Sequence, residues 1–164
     1  MDVPDAFNYL LGSWSVERRI DDRLSRRIGR FAGSGSFTWS AAADDELRAV
    51  VGVTVPPAPS TACYREAGTL RWHGRDVPCG RVLVATPTDA GGAALRFQDG
   101  RHFIDVDLRF GVCEERHCCG DDLYLITFRV HSEGCYEETW QVRGPRKDYT
   151  ATAIHHKRSS PKLR

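Results

Sequence analysis

Short runs in which apolar residues take every second position recur along most of the chain. In the first run, Trp14, Val16, Arg18 and Ile20 share one face. A period of two is typical of a β-strand with one buried face, and many short strands separated by turns are typical of a barrel or a sandwich. The pattern predicts an all-β fold of about ten strands, in residues 14–20, 31–39, 47–55, 64–72, 81–85, 95–98, 101–110, 124–130, 136–142 and 149–154.

The start of the chain carries the clearest helical pattern. Phe7, Leu10 and Leu11 recur at helical spacing, Pro4 suits a first turn, and Gly12 can end the helix. A helix this short is not stable alone in water. We therefore expect its apolar side to pack on the open end of a barrel.

The dipeptide Asp99-Gly100 predicts a tight hairpin with a two-residue turn. This register places Phe97 opposite His102 and puts charged residues on the other face, where water can solvate them. The predicted inward face carries Leu95, Phe97, His102, Ile104, Val106, Leu108 and Phe110.

The length of the chain predicts the number of domains, and its charge limits the classes of partner that we expect. The 164 residues fit one domain, which we predict to comprise residues 1–156, followed by a basic tail at 157–164. A net charge of +1 gives no nucleic-acid footprint, and the run from His155 to Arg158 is interpreted as a solvated chain end. The acidic N-terminus and the lack of a membrane-length apolar run predict a cytoplasmic protein with no membrane partner.

The six cysteines are irregularly spaced, and without a secretory signal we interpret them as reduced thiols. His117-Cys118-Cys119 suggests metal ligation, but its spacing is not that of a zinc motif, so we predict no metal. No motif indicates a particular cofactor or an oligomeric state.

Gly12-Ser13-Trp14, a GxW between the helix and the first strand, resembles the calycin superfamily of lipocalins, fatty-acid-binding proteins and their relatives. Residues 11–14, 64–68, 97–101, 119–124 and 144–149 are similar to one uncharacterised domain family of bacteria and eukaryotes with a presumed calycin-like barrel. The resemblance implies a single antiparallel calycin-like β-barrel with a pocket, and it implies no reaction. The proline-rich stretch 56–59 departs from the family pattern at one rim.

Polar residues on inward faces are the candidate ligand-binding residues, because a buried charge needs a partner or a ligand. The alternation of inward and outward positions along each strand, which we call strand parity, selects Arg18, Glu66, His102, Tyr124, Glu138 and Tyr149. Trp140 adds an aromatic wall. An apolar cavity with a few polar groups is the usual composition of a ligand site. We therefore predict binding of a small, partly apolar molecule, with an anionic ligand as one option.

Two other functions fit the same residues. The barrel could be an isomerase or hydratase, with Glu66 or Glu138 as the base and His102 or a tyrosine as the acid. It could also be a structural or partner-binding domain whose interior is filled by its own side chains. The cavity volume and the position of His102 distinguish the three.

Overall fold

The computed structural model describes residues 1–39 and 61–158. Within these ranges it contains one short helix and ten antiparallel strands, which confirms the predicted all-β fold. The elements are α1 (Ala6–Leu10), β1 (Gly12–Asp22), β2 (Arg27–Trp39), β3 (Ala62–Trp72), β4 (Arg75–Pro87), β5 (Ala93–Arg96), β6 (His102–Val106), β7 (Val112–Cys119), β8 (Asp122–Ser132), β9 (Cys135–Gly144) and β10 (Lys147–Lys157). The predicted strand 47–55 and the prolines at 56–59 lie outside the described residues, and β7 was not predicted.

The strands form one sheet that curls into a nearly closed barrel. Their order is β6-β5-β4-β3-β2-β1-β10-β9-β8-β7, so β6 and β7 are the two edges. Side chains of β7 reach the backbone of β6 across this seam. The His117 Nδ1 lies 3.1 Å from the Phe103 carbonyl oxygen, and the Cys113 thiol donates to the Asp105 carbonyl at 3.5 Å.

Helix α1 closes one end of the barrel, as predicted. The Asp5 carboxylate caps it by accepting from the Asn8 amide, while Phe7 and Leu10 are buried in the core. The tryptophan of the GxW motif ties the helix to β1, because the Trp14 Nε1 donates to the Leu10 carbonyl at 2.8 Å. Across the described ranges, no helix is long and apolar enough to cross a bilayer.

The hairpin between β5 and β6 differs from the predicted two-residue turn. The Phe97 amide donates to the Arg101 carbonyl and the Gly100 amide to the Phe97 carbonyl, so the loop has three residues, with Gly100 at φ +81°. Leu95 pairs with Ile104 but Arg96 pairs with His102, which makes Phe103 the extra residue of a bulge.

The bulge reverses two of the predicted orientations. Phe103 turns inward and is buried, whereas His102 is exposed and pairs with Asp105 at 3.0 Å. The prediction that His102 faces the interior is therefore wrong. Phe110 was also placed inside, but it lies just after β6 and is 80% exposed.

The first three residues of the basic run near the C-terminus, His155 to Lys157, belong to β10. Ala151, Ala153 and His155 alternate inward, and His155 is fully buried against the Tyr136 ring at 4.2 Å between centroids. The Lys157 ammonium lies 5.1 Å from the centre of the Trp14 ring. The interpretation of His155 as solvated is wrong, whereas His156 and Lys157 are exposed; the boundary between the domain and a tail stays a prediction.

We predict that Gly33→Ala destabilises the barrel, because an added Cβ at Gly33 would lie 2.3 Å from the Ala67 carbonyl oxygen and 2.8 Å from the Gly68 Cα. Such overpacking costs roughly 1–3 kcal/mol. Urea unfolding measures it, and Gly134→Ala is the matched control, since its nearest contact would be an ordinary 3.7 Å. Equal stability of both variants would contradict the close approach of β2 and β3.

Candidate functional site: a charged layer beneath an open cavity

Strand register brings four charged side chains to one level of the barrel. Arg18 on β1 pairs with Ala153 on β10, and Ala153 pairs with Glu138 on β9. On the other side, Glu66 of β3 pairs with Arg81 of β4. Because Ala153 is small, Arg18 and Glu138 can meet above it, and the four charges converge in the interior.

The four charged groups form two strong ion pairs with weaker cross-contacts. Arg18 donates to both oxygens of Glu66, at 2.9 and 2.8 Å, in a bidentate pair. The Arg81 Nη2 donates to the Glu138 Oε2 at 2.6 Å and lies 3.5 Å from the Glu66 Oε2. The Arg18 Nη2 lies 4.0 Å from the Glu138 Oε2, which joins the two pairs into one layer.

Uncharged side chains complete the coordination of both carboxylates. The Tyr64 hydroxyl donates to Glu66 at 2.8 Å, and the Trp140 indole donates to Glu138 at 2.7 Å. The His155 Nε2 lies 3.2 Å from the second oxygen of Glu138. These contacts meet the requirement that a buried charge be both paired and hydrogen-bonded.

Both carboxylates are held in their ionised form. Burial alone would raise the pKa of Glu66, but hydrogen bonds from Arg18 and the charge of Arg81 outweigh it and lower the pKa. The same competition holds at Glu138, where burial is outweighed by Arg81, then His155 and Arg18, and the pKa lies well below its usual range. Burial raises the pKa of Tyr64, which therefore stays a proton donor.

The arginine side chains of this layer are partly exposed to solvent, whereas the glutamate side chains are buried. The side chains of Arg18 and Arg81 are 16% and 22% exposed, whereas those of Glu66 and Glu138 are only 2% and 4% exposed. Two of the three guanidinium nitrogens of Arg81 have no acceptor among the described residues: Nε, which is buried, and Nη1. The accessible polar surface of the layer therefore consists mainly of N–H donors.

A cavity of about 510 Å³ lies on the far side of this layer from α1. Its apolar walls are Ile20, Leu70, Trp72, Trp140, Tyr149 and Ala151. Arg18, Glu66 and Arg81 line its polar floor. The turns after β1, β3 and β9 surround its mouth, so the cavity opens at the end of the barrel that α1 does not close.

Most cations at the mouth already have acidic partners. Lys147 pairs with Asp122 at 2.6 Å and also donates to the Tyr124 hydroxyl, while Arg23 binds Asp148 at 2.7 Å. Arg146 lines the mouth, is exposed, and has no acidic partner within 4.0 Å among the described residues. The floor and the mouth thus each offer unpaired N–H donors.

The structure brings together most of the residues that parity selected. Arg18, Glu66, Glu138 and Trp140 meet at the charged layer, and Tyr149 lines the cavity near its mouth. Tyr124 packs beside Trp140, with 6.0 Å between ring centres, and its hydroxyl is bound by Lys147. His102 lies on the outer surface, away from this group.

Two central residues were not among the candidates. Arg81 stands two positions before Leu83 on the same face of β4, and that spacing alone would have placed it inside. His155 continues the inward positions Ala151 and Ala153, but it lies in a basic run that was interpreted as solvated. Both could have been found by extending the alternation past the apolar residues.

The adjacent cysteines lie apart from the cavity, on β7. Cys118 and Cys119 are exposed, and His117 contacts the Phe103 carbonyl. No group of three or more His, Cys, Asp or Glu side chains in the described ranges is arranged to hold a metal ion.

A helix-capped antiparallel barrel with an internal cavity is a calycin-like architecture. Residues 10–157 match the family described as Family of unknown function (DUF6314), and the chain belongs to this family. No curated protein matched the sequence.

Comparison with solved structures supports the fold. The S-type phycobiliprotein lyase CPES from Guillardia theta has a TM-score of 0.59 at 13% identity, over 94% of this chain and 91% of that one. A redesigned β-barrel, mFAP0, bound to DFHBI gives 0.45 at 11% identity, over 91% and 99% of the two chains. A DUF3598 protein from Nostoc punctiforme gives 0.48 at 10% identity, over 96% and 51%. The first similarity confirms the barrel and extends no further than the fold.

We predict that Arg18→Met costs about 3 kcal/mol at neutral pH, because among the described residues it leaves the buried Glu66 with Arg81, 3.5 Å away, as its one cationic partner beside the hydrogen bond from Tyr64. The folded-state pKa of Glu66 lies below its ordinary 4.5, so its pairing stabilises the wild type above that pH and is lost as the pH falls through the folded value. The difference between the two proteins should therefore shrink below about pH 4.5.

Urea melts at several pH values measure this difference. Arg19→Met is the control, since Arg19 is half-exposed, pairs with Asp21, and should contribute at most about 1 kcal/mol at any pH. A loss at Arg18 that is equally small and independent of pH would place it outside the charged layer.

Proposed function

We propose that this protein binds one small, partly apolar molecule in the cavity beyond the charged layer. The observation that carries the proposal is the uneven filling of the barrel. Side chains from α1 and the strands fill one half, whereas the other half leaves about 510 Å³ open to solvent. Ligand sites in proteins usually measure about 300–1,000 Å³ and have apolar walls with a few polar groups.

The walls support an apolar body for the ligand. Trp72 and Trp140 offer aromatic faces, and Ile20, Leu70 and Ala151 add aliphatic surface. From the predicted set we leave out only His102, which is exposed, and we add Arg81. The proposed site residues are Arg18, Glu66, Arg81, Tyr124, Glu138, Trp140 and Tyr149.

The two alternatives receive less support from the same site. A domain that fills its own barrel would not need an open cavity lined by two tryptophans. Proton transfer would need a base with a pKa near the working pH, but Glu66 and Glu138 have lowered pKa values, and His102 lies outside. We also propose a cytoplasmic location and no nucleic-acid or membrane partner, on the sequence arguments given above.

We predict that N-phenylnaphthylamine, an uncharged fluorescent probe, binds the wild type at a single site and quenches tryptophan emission, because Trp72 and Trp140 line the cavity. Cys79→Trp should weaken this binding by about tenfold or more, since Cys79 lines the same cavity and an indole would occupy the space of the probe. Fluorescence titration provides both affinities.

Cys118→Trp is the matched control. Cys118 is exposed on β7, outside the cavity walls, and this substitution should leave probe binding within about twofold of wild type. An unbound probe, or equal weakening by both substitutions, would count against the cavity as a ligand site.

A further inference from the structure

We propose that the ligand carries an oxyanion, such as a carboxylate, sulfonate or phosphate, and that Arg81 and Arg18 bind this group at the floor of the cavity. The inference rests on the proposed function and deepens it. It specifies the chemistry of one end of the ligand and the depth at which that end lies.

The first argument is the inventory of unused donors. Arg81 uses Nη2 for its contacts with both glutamates, and neither Nε nor Nη1 has an acceptor among the described residues. Nε is buried, so Nη1 is the unpaired Arg81 nitrogen that a ligand can reach. Arg18 uses one hydrogen on each Nη for Glu66, and each of these nitrogens carries a second hydrogen. The floor therefore has spare donors, while the side chains of both glutamates are nearly inaccessible.

The second argument is electrostatic. Two guanidinium groups and two carboxylates balance in number, but the carboxylates are nearly inaccessible and the guanidinium groups are not. A cationic ligand would meet the arginines first, and a ligand without acceptors would leave their N–H groups to water. An oxyanion gains charge-assisted hydrogen bonds there, between apolar walls that exclude solvent.

The third argument is that the Arg81 guanidinium is already held in place. It lies over the Tyr64 ring at 5.3 Å and over the Trp140 ring at 5.1 Å, and Glu138 fixes one of its nitrogens. A planar group fixed in this way loses little freedom when it binds an anion. The rival cation is Arg146 at the mouth, which lacks both rings and carboxylate, so the two positions can be separated by mutation.

The test uses two probes that share one aromatic body. N-phenylnaphthylamine is uncharged, and anilinonaphthalene sulfonate adds a sulfonate to the same frame. Arg81→Met combined with Glu138→Gln removes one cation and one anion together, so no buried charge is left without a partner. We expect this double variant to bind the sulfonate about tenfold more weakly than wild type, with the uncharged probe changed by less than about twofold.

Two further variants sharpen the result. Arg146→Met should leave both probes within about twofold of wild type, because its side chain lies at the mouth. Arg81→Lys keeps the charge beside Glu138 but lacks the planar fork, so it should weaken the sulfonate by about threefold or more. This variant decides the question if circular dichroism shows that the double variant is unfolded.

The outcomes separate the two proposals. If the uncharged probe does not bind the wild type, the proposed function fails. If it binds, but Arg81 variants weaken both probes equally or neither probe, the oxyanion site is overturned and the cavity remains. If Arg146→Met alone weakens the sulfonate, the anion lies at the mouth and the assignment to the floor is wrong.

Discussion

The pairing of four charges in the middle of the barrel is the constraint on which the rest of this structure depends. Arg18, Glu66, Arg81 and Glu138 lie at one level, where removing any one leaves an opposite charge buried. Aromatic side chains surround these charges, while some of the neighbouring strand positions are small. Gly33 on β2 pairs with Gly68 on β3. Ala153 on β10 lies between the strand positions of Arg18 and Glu138. An added side chain at Gly33 would meet the Ala67 carbonyl oxygen and the Phe31 ring.

This layer divides the barrel into a filled half and a hollow half, and each strand that crosses it shows the change. Along β1 the inward positions run from Trp14 in the core, through Val16, to Arg18 in the layer and Ile20 in the cavity wall. On β9, Tyr136, Glu138 and Trp140 repeat the order. Successive inward residues are about 6.7 Å apart along a strand. The apolar wall of the cavity therefore begins one such step beyond the charges, toward the open end of the barrel.

Simple alternation was enough to predict the inward faces of β1, β3 and β9, and so to select Arg18, Glu66 and Glu138 as inward-facing. Alternation failed to predict the structure in two places: where a bulge interrupts the strand, and where a strand is polar on both faces. One extra residue at Phe103 moved His102 outside, and a single sequence does not reveal such a bulge. The strand β7 was missed because Glu114, Glu115, Arg116 and His117 are polar on both faces of an edge strand.

The same contacts that keep the fold intact also prepare the floor for a ligand. Glu138 accepts from Arg81, Trp140 and His155, and His155 stacks on Tyr136, which packs edge-on against Trp14 beneath α1. The Arg81 guanidinium is thus immobilised by a chain of packed groups that extends to the helix end. The entropy lost in ordering it is a cost of folding, so an incoming anion does not bear it again. A floor of this kind can favour one end of a ligand over the other without any movement of the barrel.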